Sequence, residues 1–334
     1  MKILIAGFGS IGRRHFRNLL ALGERDILFL RSQRGTLPDD EIAAYPVETD
    51  LAAALQYKPD AVIVSTPTAL HLSIAIPAAE AGCHLFLEKP LSHTMDRLDE
   101  LERALCQGGG RAFVGFQFRF HPTLQRIAQW ISEGALGHPL SVRARWGEYL
   151  PGWHPWEDYR QGYSARPELG GGVVRTLCHP LDYLYWMLGD VEALWSFLGY
   201  QGDLGIEVED TAEIGLRFAS GALGSVHLNY TQRPPTHRLE IVGTQGTIRW
   251  DYSDGVARLY RATTGEWEVF PPPPGFSRND MFLAEMNHFL EVARGDAEPA
   301  CSLREGIRVQ ELIEGVVQSA ARGQMVRWDG VHVR

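Results

Sequence analysis

The fold of this chain is decided near its N-terminus, where residues 3–12 read ILIAGFGSIG. Residues 3–6 form a short apolar run, which predicts a buried strand. The glycines that follow allow a tight turn and let the backbone of a helix N-terminus approach a pyrophosphate closely. Because G-x-G-x-x-G lies here between a strand and a helix, it predicts a dinucleotide-binding loop. The predicted loop consists of Gly7, Phe8, Gly9, Ser10, Ile11 and Gly12.

The same alternation of strand and helix continues through the first 120 residues. Apolar runs that predict buried strands lie at 3–6, 27–30, 61–64, 84–87 and 112–115. Helical spacing separates these runs at 11–22, 51–55, 70–81 and 95–105. Strands that alternate with helices are typical of βαβ units, which build a doubly wound parallel sheet. We therefore predict a dinucleotide-binding Rossmann domain over residues 1–120.

Beyond residue 120 the pattern changes from alternating elements to paired strands. A helix is predicted at 122–133, and an irregular segment rich in Trp, Tyr, Pro and Gly follows at 146–169. From Ala212 onward apolar and polar residues alternate, with turns at 220–221 and 243–246. Alternation of this kind predicts antiparallel strands with one covered face. We interpret this half as an α+β domain that binds substrate and forms oligomers.

The last part of the chain returns to helical spacing, at 281–294 and 303–321. The predicted α+β domain covers residues 121–300, and residues 301–334 are expected to pack a C-terminal helix back on the Rossmann domain. The predicted fold class is therefore α/β, with an N-terminal doubly wound parallel sheet. The second domain is predicted to contain a large, mainly antiparallel sheet.

Composition excludes several classes of protein. The 334 residues carry a net charge of −9, and the basic residues are scattered, which argues against a nucleic-acid partner. Arg13, Arg14 and Arg17 lie on one helix and are interpreted as its solvated face. No apolar stretch approaches the ~20 residues of a membrane span, and the first run is too short for a signal peptide. The four cysteines form no C-x-x-C pair, so we expect a cytoplasmic protein with free thiols and no membrane partner.

The end of the second predicted strand bears on the choice of dinucleotide. A carboxylate at this place normally binds the ribose 2′-hydroxyl of NAD. Here Arg31, Ser32, Gln33 and Arg34 follow the strand, and the first carboxylate is Asp39. Arginine and serine side chains suit a 2′-phosphate, so NADP is favoured over NAD. In the alternative, the arginines stack on adenine or face solvent, and NAD stays open.

Lysine is rare in this chain, since only three of the 32 basic residues are lysines. Lys2 and Lys58 are interpreted as surface residues. Lys89 instead follows the predicted strand 84–87, at the carboxyl end where open α/β sheets bind ligands. Burial and a neighbouring nicotinamide cation would favour the neutral amine, which can exchange the proton of an alcohol as hydride leaves. The alternative is a structural ion pair with Glu88.

Several motifs occur in an order that resembles a known enzyme family. They are the glycine loop, Ser65-Thr66-Pro67, Glu88-Lys89-Pro90, Gly170-Gly171-Gly172 followed by His179 and Asp182, the hairpin at 243–247 and a C-terminal helix. This combination is similar to the glucose–fructose oxidoreductase/inositol dehydrogenase (Gfo/Idh/MocA) family over essentially the whole chain. The resemblance implies an NAD(P)-dependent oxidoreductase that acts on a secondary alcohol or ketone of a sugar, a sugar nucleotide or an inositol-like substrate.

The resemblance also implies roles for single residues. Lys89 would touch the reacting hydroxyl, Glu88 would face the cofactor ribose, and His179 would take part in proton transfer. Pro180 suits the first position of a helix, so His179 lies at a helix N-terminus, where the dipole favours the neutral imidazole. The alternative is a capping or packed histidine. We expect the amine of Lys89 and the imidazole of His179 to converge over one nicotinamide ring.

One position departs from the family pattern. In that pattern an aspartate precedes the histidine by three or four residues, whereas this chain has Thr176, preceded by Arg175. A threonine can hydrogen-bond a substrate but cannot stabilise an imidazolium. We therefore expect the proton relay, the substrate or the activity to differ from those of the family's dehydrogenases.

Further candidate contacts come from segments outside these motifs. Aromatic and arginine side chains of the irregular segment suit a sugar, or else pack into an interface, and Tyr163 and Arg166 are preferred because they are nearest the glycine triplet. Gln117 and Arg119 are expected at the nicotinamide end. Beyond the glycine loop, the predicted cofactor contacts are Arg31, Ser32, Arg34, Ser65, Thr66, Pro67, His71, Glu88, Lys89 and Gln117. The predicted substrate contacts are Lys89, Arg119, Tyr163, Arg166, Thr176 and His179.

Two other functions stay open on the sequence alone. One is an enzyme with tightly held NAD that cleaves or epimerises glycosides through transient oxidation. The other is a non-catalytic dinucleotide-sensing regulator, which Thr176 favours and the pair Lys89 and His179 disfavours. The histidines are dispersed and no thiolate cluster occurs, so no metal site is predicted. The exposed face of the antiparallel sheet is expected to be covered by another subunit, which gives a homodimer or homotetramer.

Overall fold

The computed structural model describes residues 1–32, 40–153 and 157–328. The predicted cofactor contact Arg34 and residues 154–156 of the irregular segment lie outside the described residues. Within the described part of the chain, no helix has both the length and the apolar character that crossing a membrane requires.

The chain divides into two compact units. One consists of Met1–Gln117 with Ser277–Gln310, and the other of Phe118–Phe276 with Glu311–Arg334. The boundaries inferred from the sequence, at residues 120 and 300, differ from this division in where they put residues 277–300. As an assignment of domains and their roles, those boundaries stay a prediction.

The elements of the described residues have the following bounds. The strands are β1 Ile3–Ala6, β2 Ile27–Leu30, β3 Val47–Glu48, β4 Ala61–Val64, β5 His84–Glu88, β6 Ala112–Gly115, β7 Pro139–Tyr149, β8 Val191–Gly199, β9 Thr211–Phe218, β10 Leu223–Asn229, β11 Thr231–Gly243, β12 Gly246–Asp251, β13 Val256–Arg261, β14 Glu266–Phe270 and β15 Val326–Arg327. The helices are α1 Ser10–Ala21, α2 Leu51–Gln56, α3 His71–Glu80, α4 Leu98–Gly108, α5 Pro122–Ser132, α6 Val173–Thr176, α7 His179–Leu188, α8 Arg278–Arg294 and α9 Leu303–Arg322.

The first unit contains a six-stranded sheet in the order β3-β2-β1-β4-β5-β6. Its neighbouring strands are all parallel, and β1 and β4 are buried along their whole length. Burial on both faces explains why these strands are continuous apolar runs rather than alternating ones. The predicted doubly wound parallel sheet is confirmed. Only the short strand β3 was missed, because Val47-Glu48 carries no apolar run.

Helix α8 belongs to the first unit because it packs on α1. The Asn279 side-chain amide donates to Asn18 Oδ1 at 2.9 Å, and the guanidinium of Arg14 lies 4.6 Å from the ring centre of Phe282. Arg14 therefore contacts an aromatic ring, and Arg13 is only 6% exposed. The interpretation of Arg13, Arg14 and Arg17 as one solvated face was wrong for Arg13.

The second unit contains a nine-stranded sheet in the order β14-β13-β12-β11-β7-β10-β9-β8-β15. The pairing is antiparallel throughout except between β10 and β7. Along β9 the even-numbered residues from Ala212 to Phe218 are buried, while Glu213 and Arg217 are exposed. The predicted large, mainly antiparallel sheet is confirmed.

Strand β7 lies near the middle of this sheet, yet the sequence did not predict it. It extends to Tyr149, into the segment that was expected to be irregular. Its buried positions include the small Ala144, and its outward positions include Arg143 and Arg145. Val142, Ala144 and Trp146 are buried and alternate with the exposed Ser141, Arg143 and Arg145, so the period-2 signal of a half-buried strand was present in the sequence but was not used. Strands β8, β13 and β14 were also missed.

Helix α9 contributes residues up to Gln310 to the first unit and residues from Glu311 to the second. In the first unit, the side-chain oxygen of Gln310 accepts from the Ser92 amide at 3.3 Å. In the second unit, the Ser196 hydroxyl on β8 donates to the Val316 carbonyl oxygen at 2.6 Å, and the Ser196 amide donates to Ser319 Oγ at 3.0 Å. The C-terminal half of the helix therefore packs on β8.

Candidate functional site

The glycine loop connects β1 to α1, and its three glycines meet different surroundings. A Cβ on Gly7 would lie 2.6 Å from the Ser65 carbonyl oxygen, and one on Gly12 would lie 2.2 Å from the Gly7 carbonyl oxygen. Gly7 also has a φ of +94°, which L side chains rarely adopt. A Cβ on Gly9 would meet no atom within 4 Å. Gly7 and Gly12 thus allow close packing, whereas Gly9 faces open space.

The N-terminus of α1 has the donors that an anion needs. Its N-cap is Gly9, which has no side chain to accept from the first-turn amides, and the first turn contains no acidic residue. These amides and the helix dipole suit a pyrophosphate. Next to the loop, Thr66 Oγ1 is buried and has no hydrogen-bond partner among the described residues. An open glycine, free amides and an orphan hydroxyl fit a dinucleotide.

The residues after β4 contact the main chain of the glycine loop. Ser65 Oγ lies 3.1 Å from the Ala6 carbonyl oxygen and 2.9 Å from that of Gly7, and it donates toward both. The Ser65 hydroxyl therefore contacts the main chain at the start of the glycine loop. It was predicted to contact the cofactor. Pro67 follows as a half-buried residue. The roles of Ser65, Thr66 and Pro67 as cofactor contacts stay predictions.

His71, at the start of α3, connects the segment after β4 to the segment after β5. Its Nε2 lies 2.9 Å from the Thr66 carbonyl oxygen, and its Nδ1 lies 3.1 Å from the Pro90 carbonyl oxygen. Burial lowers the pKa of His71, and the hydrogen bond to Thr66 opposes that shift. The imidazole was predicted to contact the cofactor. Both of its nitrogens face main-chain carbonyl oxygens, so it fixes the backbone around this edge of the sheet.

At the end of β5, the Glu88 carboxylate makes two hydrogen bonds within the first unit. Its Oε1 lies 2.7 Å from His15 Nε2 on α1, and its Oε2 accepts from the Lys89 amide at 3.2 Å. Lys89 itself is half-buried, and the Lys89–Pro90 peptide is cis. The sequence analysis did not identify His15. Its position three residues after Gly12, on the helix that the loop opens, was the available signal.

Arginines surround Phe8 in the glycine loop. Arg31 Nη1 donates to the Phe8 carbonyl oxygen at 3.0 Å, and its guanidinium carbon lies 5.4 Å from the Phe8 ring centre. The guanidinium carbon of Arg13 lies 4.3 Å from the same ring centre. Ser32 is exposed. Arg31 and Ser32 thus follow the carboxyl end of β2, and Arg31 contacts Phe8 in the glycine loop.

Glu41 balances part of this positive charge. Its carboxylate accepts from Arg17 at 2.7 and 2.9 Å and from Arg13 at 2.9 Å. The hydrogen bond from Arg17 is the largest cause that lowers the pKa of Glu41, and that from Arg13 acts in the same direction.

In the second unit, α7 begins at His179, one residue before the predicted first position Pro180, and His179 is 1% exposed. The ring centre of Phe118 lies 4.9 Å from that of His179 in an edge-on contact, and Trp146 lies at 5.4 Å. Trp146 also stacks on His237 at 4.4 Å with an interplanar angle of 2°. The Tyr183 hydroxyl of α7 lies 3.2 Å from His237 Nε2. Aromatic packing thus holds the imidazole of His179.

Arg119, which was predicted to contact substrate, forms an ion pair with Asp182 in the structure. Its Nη2 and Nε donate to Asp182 Oδ1 at 2.7 and 3.0 Å, and both side chains are almost fully buried. Asp182 lies in the first turn of α7, so this ion pair anchors the helix that begins at His179. Gln117, just after β6, is also buried. Substrate contact by Arg119 and cofactor contact by Gln117 stay predictions.

The glycine triplet lies directly against the segment that holds Tyr163 and Arg166. A Cβ on Gly171 would lie 2.4 Å from the Tyr163 carbonyl oxygen, and the Gly171 amide donates to the Arg166 carbonyl oxygen at 3.0 Å. Tyr163 and Arg166 are half-buried, and Arg166 forms an ion pair with Glu168. The preference for these two residues agrees with their nearness to the triplet.

Thr176 ends α6 and is 3% exposed. Its side chain lies beside the hydroxyl of Tyr230, which donates to the Ser164 carbonyl oxygen at 3.3 Å. Burial raises the pKa of Tyr230 well above its usual range. Nearby, Glu209 accepts from the Val174 amide at 3.2 Å, and burial raises its pKa. Neither Tyr230 nor Glu209 was identified from the sequence, because each simply borders a strand.

The predicted residues therefore form two sets, one in each unit. The glycine loop, Ser65, Thr66, Pro67, Glu88 and Lys89 follow β1, β4 and β5, which are neighbours in the parallel sheet. Tyr163, Arg166 and Thr176 gather around the glycine triplet, and Arg119 and His179 around the start of α7. Within residues 1–32, 40–153 and 157–328, no three His, Cys, Asp or Glu side chains cluster as metal ligands.

Two family models match the chain. Residues 1–116 match an oxidoreductase family with an NAD-binding Rossmann fold, and residues 124–249 match the Gfo/Idh/MocA C-terminal domain. A 1,5-anhydro-D-fructose reductase of Ensifer adhaerens is 29% identical over 273 residues, which cover 79% of this chain and 78% of that protein. A levoglucosan dehydrogenase of Pseudarthrobacter phenanthrenivorans is 27% identical over 312 residues, which cover 79% of this chain and 78% of that protein.

The fold is also found in a solved structure. A levoglucosan dehydrogenase in complex with NADH superimposes with a TM-score of 0.85 at 22% identity, and the match covers 98% of each chain. The family resemblance, the fold class and the prediction of an NAD(P)-dependent oxidoreductase are confirmed. This chain belongs to the Gfo/Idh/MocA family of oxidoreductases, with an NAD-binding Rossmann domain at its N-terminus.

Proposed function

We propose that this protein transfers hydride between a nicotinamide dinucleotide and a carbon that bears a secondary alcohol or ketone in a sugar, a sugar nucleotide or an inositol-like compound. One observation carries this proposal. The open glycine loop and Lys89 follow β1 and β5, two strands separated only by β4 in the parallel sheet. Ligands of open α/β sheets bind at this edge. Two relatives, a 1,5-anhydro-D-fructose reductase and a levoglucosan dehydrogenase, also support the proposal.

Oxidation of a secondary alcohol to a ketone removes a hydride from the carbon and a proton from the oxygen. A bound oxidised nicotinamide supplies the hydride acceptor, so the residues of this chain have to take the proton. We assign this step to the amine of Lys89, which accepts the hydroxyl proton in oxidation and returns it to the oxygen in reduction. His179 is proposed to exchange that proton further. The ring contacts to Phe118 and Trp146 hold its imidazole in one orientation.

NADP is proposed as the preferred dinucleotide. Arg31 and Ser32 directly follow β2, where a carboxylate would bind the ribose of NAD. The guanidinium of Arg31 lies beside Phe8 in the glycine loop, which supports a positive site for a 2′-phosphate. Binding constants of NADPH and NADH, measured by fluorescence titration, test this preference. Tighter binding of NADH by tenfold or more would reverse it.

The substrate is proposed to lie against Tyr163, Arg166 and Thr176. Thr176 supplies an uncharged hydroxyl at this place, which favours hydrogen bonding to a neutral polyol over charge pairing. Aromatic and arginine side chains suit sugars, including those that carry an acidic group.

A cytoplasmic homodimer or homotetramer is also proposed. No disulfide joins any of the four cysteines within the described part of the chain, which agrees with a reducing compartment. Trp195 and Phe197 on β8 and Leu223 on β10 expose large apolar side chains on the nine-stranded sheet. Apolar exposure of this extent is typical of a surface that another subunit covers. A strictly monomeric mass in light scattering would refute the oligomer.

The hydride-transfer proposal is tested with the full-length protein. Levoglucosan, D-xylose and myo-inositol are incubated with NAD⁺ or NADP⁺, and 1,5-anhydro-D-fructose with NADH or NADPH, while absorbance at 340 nm is followed. Stoichiometric formation or consumption of the reduced dinucleotide supports the proposal. Replacement Lys89→Met is expected to lower kcat by about 10²–10⁴-fold, the usual contribution of a proton-transfer group. A cofactor that stays bound and never exchanges would instead support the glycoside-cleaving or epimerising alternative.

A further inference from the structure

The strongest feature that the proposed function leaves unused is the buried pair of His15 and Glu88. His15 on α1 is fully buried, and the side chain of Glu88 is 9% exposed. Their hydrogen bond, 2.7 Å between His15 Nε2 and Glu88 Oε1, connects the helix that opens at the glycine loop to the tip of β5. Burying a carboxylate and an imidazole costs free energy that an apolar pair of the same volume would not cost. The pair is therefore expected to serve something beyond packing.

The environment of His15 defines its hydrogen-bonding role. Its Nδ1 is buried and has no hydrogen-bond partner among the described residues. A proton on that nitrogen would leave an unsatisfied buried donor, which costs about 1–3 kcal/mol. The single ring proton therefore lies on Nε2 and is donated to Glu88 Oε1. Phe86 meets the ring in an edge-on contact at 4.8 Å and restricts its rotation.

The second carboxylate oxygen of Glu88 connects the side chain that His15 orients to the main chain of Lys89. Glu88 Oε2 accepts from the Lys89 main-chain amide at 3.2 Å. One residue further, the Pro90 carbonyl oxygen lies 3.1 Å from His71 Nδ1. The main chain is thus contacted on both sides of the Lys89 side chain. On one side the restraint depends on His15, because Glu88 keeps its orientation only while Oε1 has a donor.

We propose that His15 is a positioning residue for Lys89: as a neutral donor it orients the Glu88 carboxylate, which in turn fixes the main chain from which the Lys89 amine projects. This inference rests on the proposed function for the consequence in catalysis, but its structural part does not depend on any ligand. His15 touches neither substrate nor reacting atoms in this role.

The structural part is tested in the ligand-free, full-length protein by hydrogen exchange localised to the Lys89 amide. His15→Leu removes the donor, and His15→Gln restores an amide N–H at a similar reach. His84→Leu is the matched control, since His84 begins the same strand and its Nδ1 accepts from the Arg111 amide at 3.1 Å, at the opposite end. Exchange is expected to be at least about fivefold faster in His15→Leu and near normal in the other two variants. Unchanged exchange in His15→Leu overturns the proposal.

The catalytic part compares kcat with dinucleotide binding, using NADH or NADPH and the best substrate of the sugar panel. His15→Leu is expected to lower kcat by about 10–100-fold, with dinucleotide dissociation constants within about threefold, and His15→Gln to recover most of kcat. The double variant His15→Leu/Glu88→Gln should be no worse than the poorer single variant, because the two residues act as one unit. Multiplying effects, or an equal loss in His84→Leu, overturn the proposal. If the wild-type protein transfers no hydride to any probe, the proposed function fails, and the exchange experiment still decides the role of His15.

Discussion

The two regions that carry the candidate site surround their histidines with different groups. In the first unit, His15 donates to a carboxylate and His71 faces two main-chain carbonyl oxygens. In the second unit, the ring of Trp146 packs against those of His179 and His237, at 5.4 and 4.4 Å, and the Tyr183 hydroxyl lies 3.2 Å from His237 Nε2. Contacts to a carboxylate and to the main chain are prominent in the first region, and contacts to aromatic side chains in the second. The difference predicts that the regions respond to different perturbations.

The electrostatic consequence is visible in the second region. Burial lowers the pKa of His121 to about 4 and that of His237 to about 3. Desolvation is the largest cause of both shifts; His121 lowers the pKa of His237 further, and the Asp251 carboxylate opposes that shift. Exclusion of water therefore keeps His121 and His237 neutral near pH 7.

The largest expected effect comes from breaking the buried ion pair between Arg119 and Asp182. Arg119→Met leaves the Asp182 carboxylate, which is fully buried, without its bidentate partner. Removing one member of a buried pair usually costs about 3–5 kcal/mol in the free energy of unfolding. Urea unfolding at pH 7.5 measures this loss. The double variant Arg119→Met/Asp182→Leu should regain much of it, because no uncompensated charge is left.

The matched control is an exposed pair of the same chemistry in the same unit. Arg160 makes hydrogen bonds at 2.9 and 3.1 Å to Asp158, and both side chains are largely exposed. Arg160→Met is expected to cost less than about 1 kcal/mol, as is usual for exposed pairs. Equal losses in Arg119→Met and Arg160→Met would show that burial of the first pair is not what matters.

A smaller effect is expected from the glycine loop, where the first region depends on close main-chain approach. In Gly12→Ala the new Cβ would lie 2.2 Å from the Gly7 carbonyl oxygen, so the loop has to move. Overpacking of this kind costs about 1–3 kcal/mol of stability. Binding of NADPH should fall at the same time, because the loop amides lose their arrangement. Thermal unfolding and fluorescence titration measure the two effects.

Gly9→Ala separates ligand approach from loop packing. Its Cβ would meet no atom within 4 Å, and its φ of −78° suits alanine. Stability should change by no more than about 0.5 kcal/mol, whereas dinucleotide binding should still weaken because the methyl group occupies the space that a pyrophosphate needs. If Gly9→Ala destabilises the protein as much as Gly12→Ala, the distinction between the two glycines is wrong.

The same contrast explains which features the sequence could predict. The parallel strands and the glycine loop depend on neighbours in the sequence, so apolar runs and glycine spacing identified them. The large sheet was predicted from β9 to β12, where apolar and polar residues alternate. Strand β7 was missed although buried Val142, Ala144 and Trp146 alternate with exposed residues, because the segment from Trp146 onward was interpreted as irregular.

Residues that act through distant contacts were the ones that sequence reasoning did not find. His15 and Glu88 are 73 residues apart, and Tyr183 and His237 are 54 residues apart. The buried ion pair of Arg119 was not foreseen, because its partner Asp182 lies 63 residues away. A motif shows which residues occur near a strand end. It does not show which partners they meet after folding.

The last prediction concerns how the free energy of unfolding depends on pH through the buried His121. The folded-state pKa of His121 is lowered to about 4, whereas an unfolded histidine titrates near 6.5, so the unfolded state binds the proton first as pH falls. Stability contributed by neutral His121 is therefore complete above pH 6.5 and is lost between about pH 6.5 and 4, which amounts to about 1.3 kcal/mol between pH 7.5 and 5.5.

His121→Asn retains an acceptor for the Thr123 amide at the start of α5 but does not titrate. The unfolding free energy of this variant should fall by about 1 kcal/mol less over that range, while the exposed control His138→Asn should follow the wild type. Identical pH profiles for His121→Asn and the wild type would mean that the histidine is not held neutral by its surroundings.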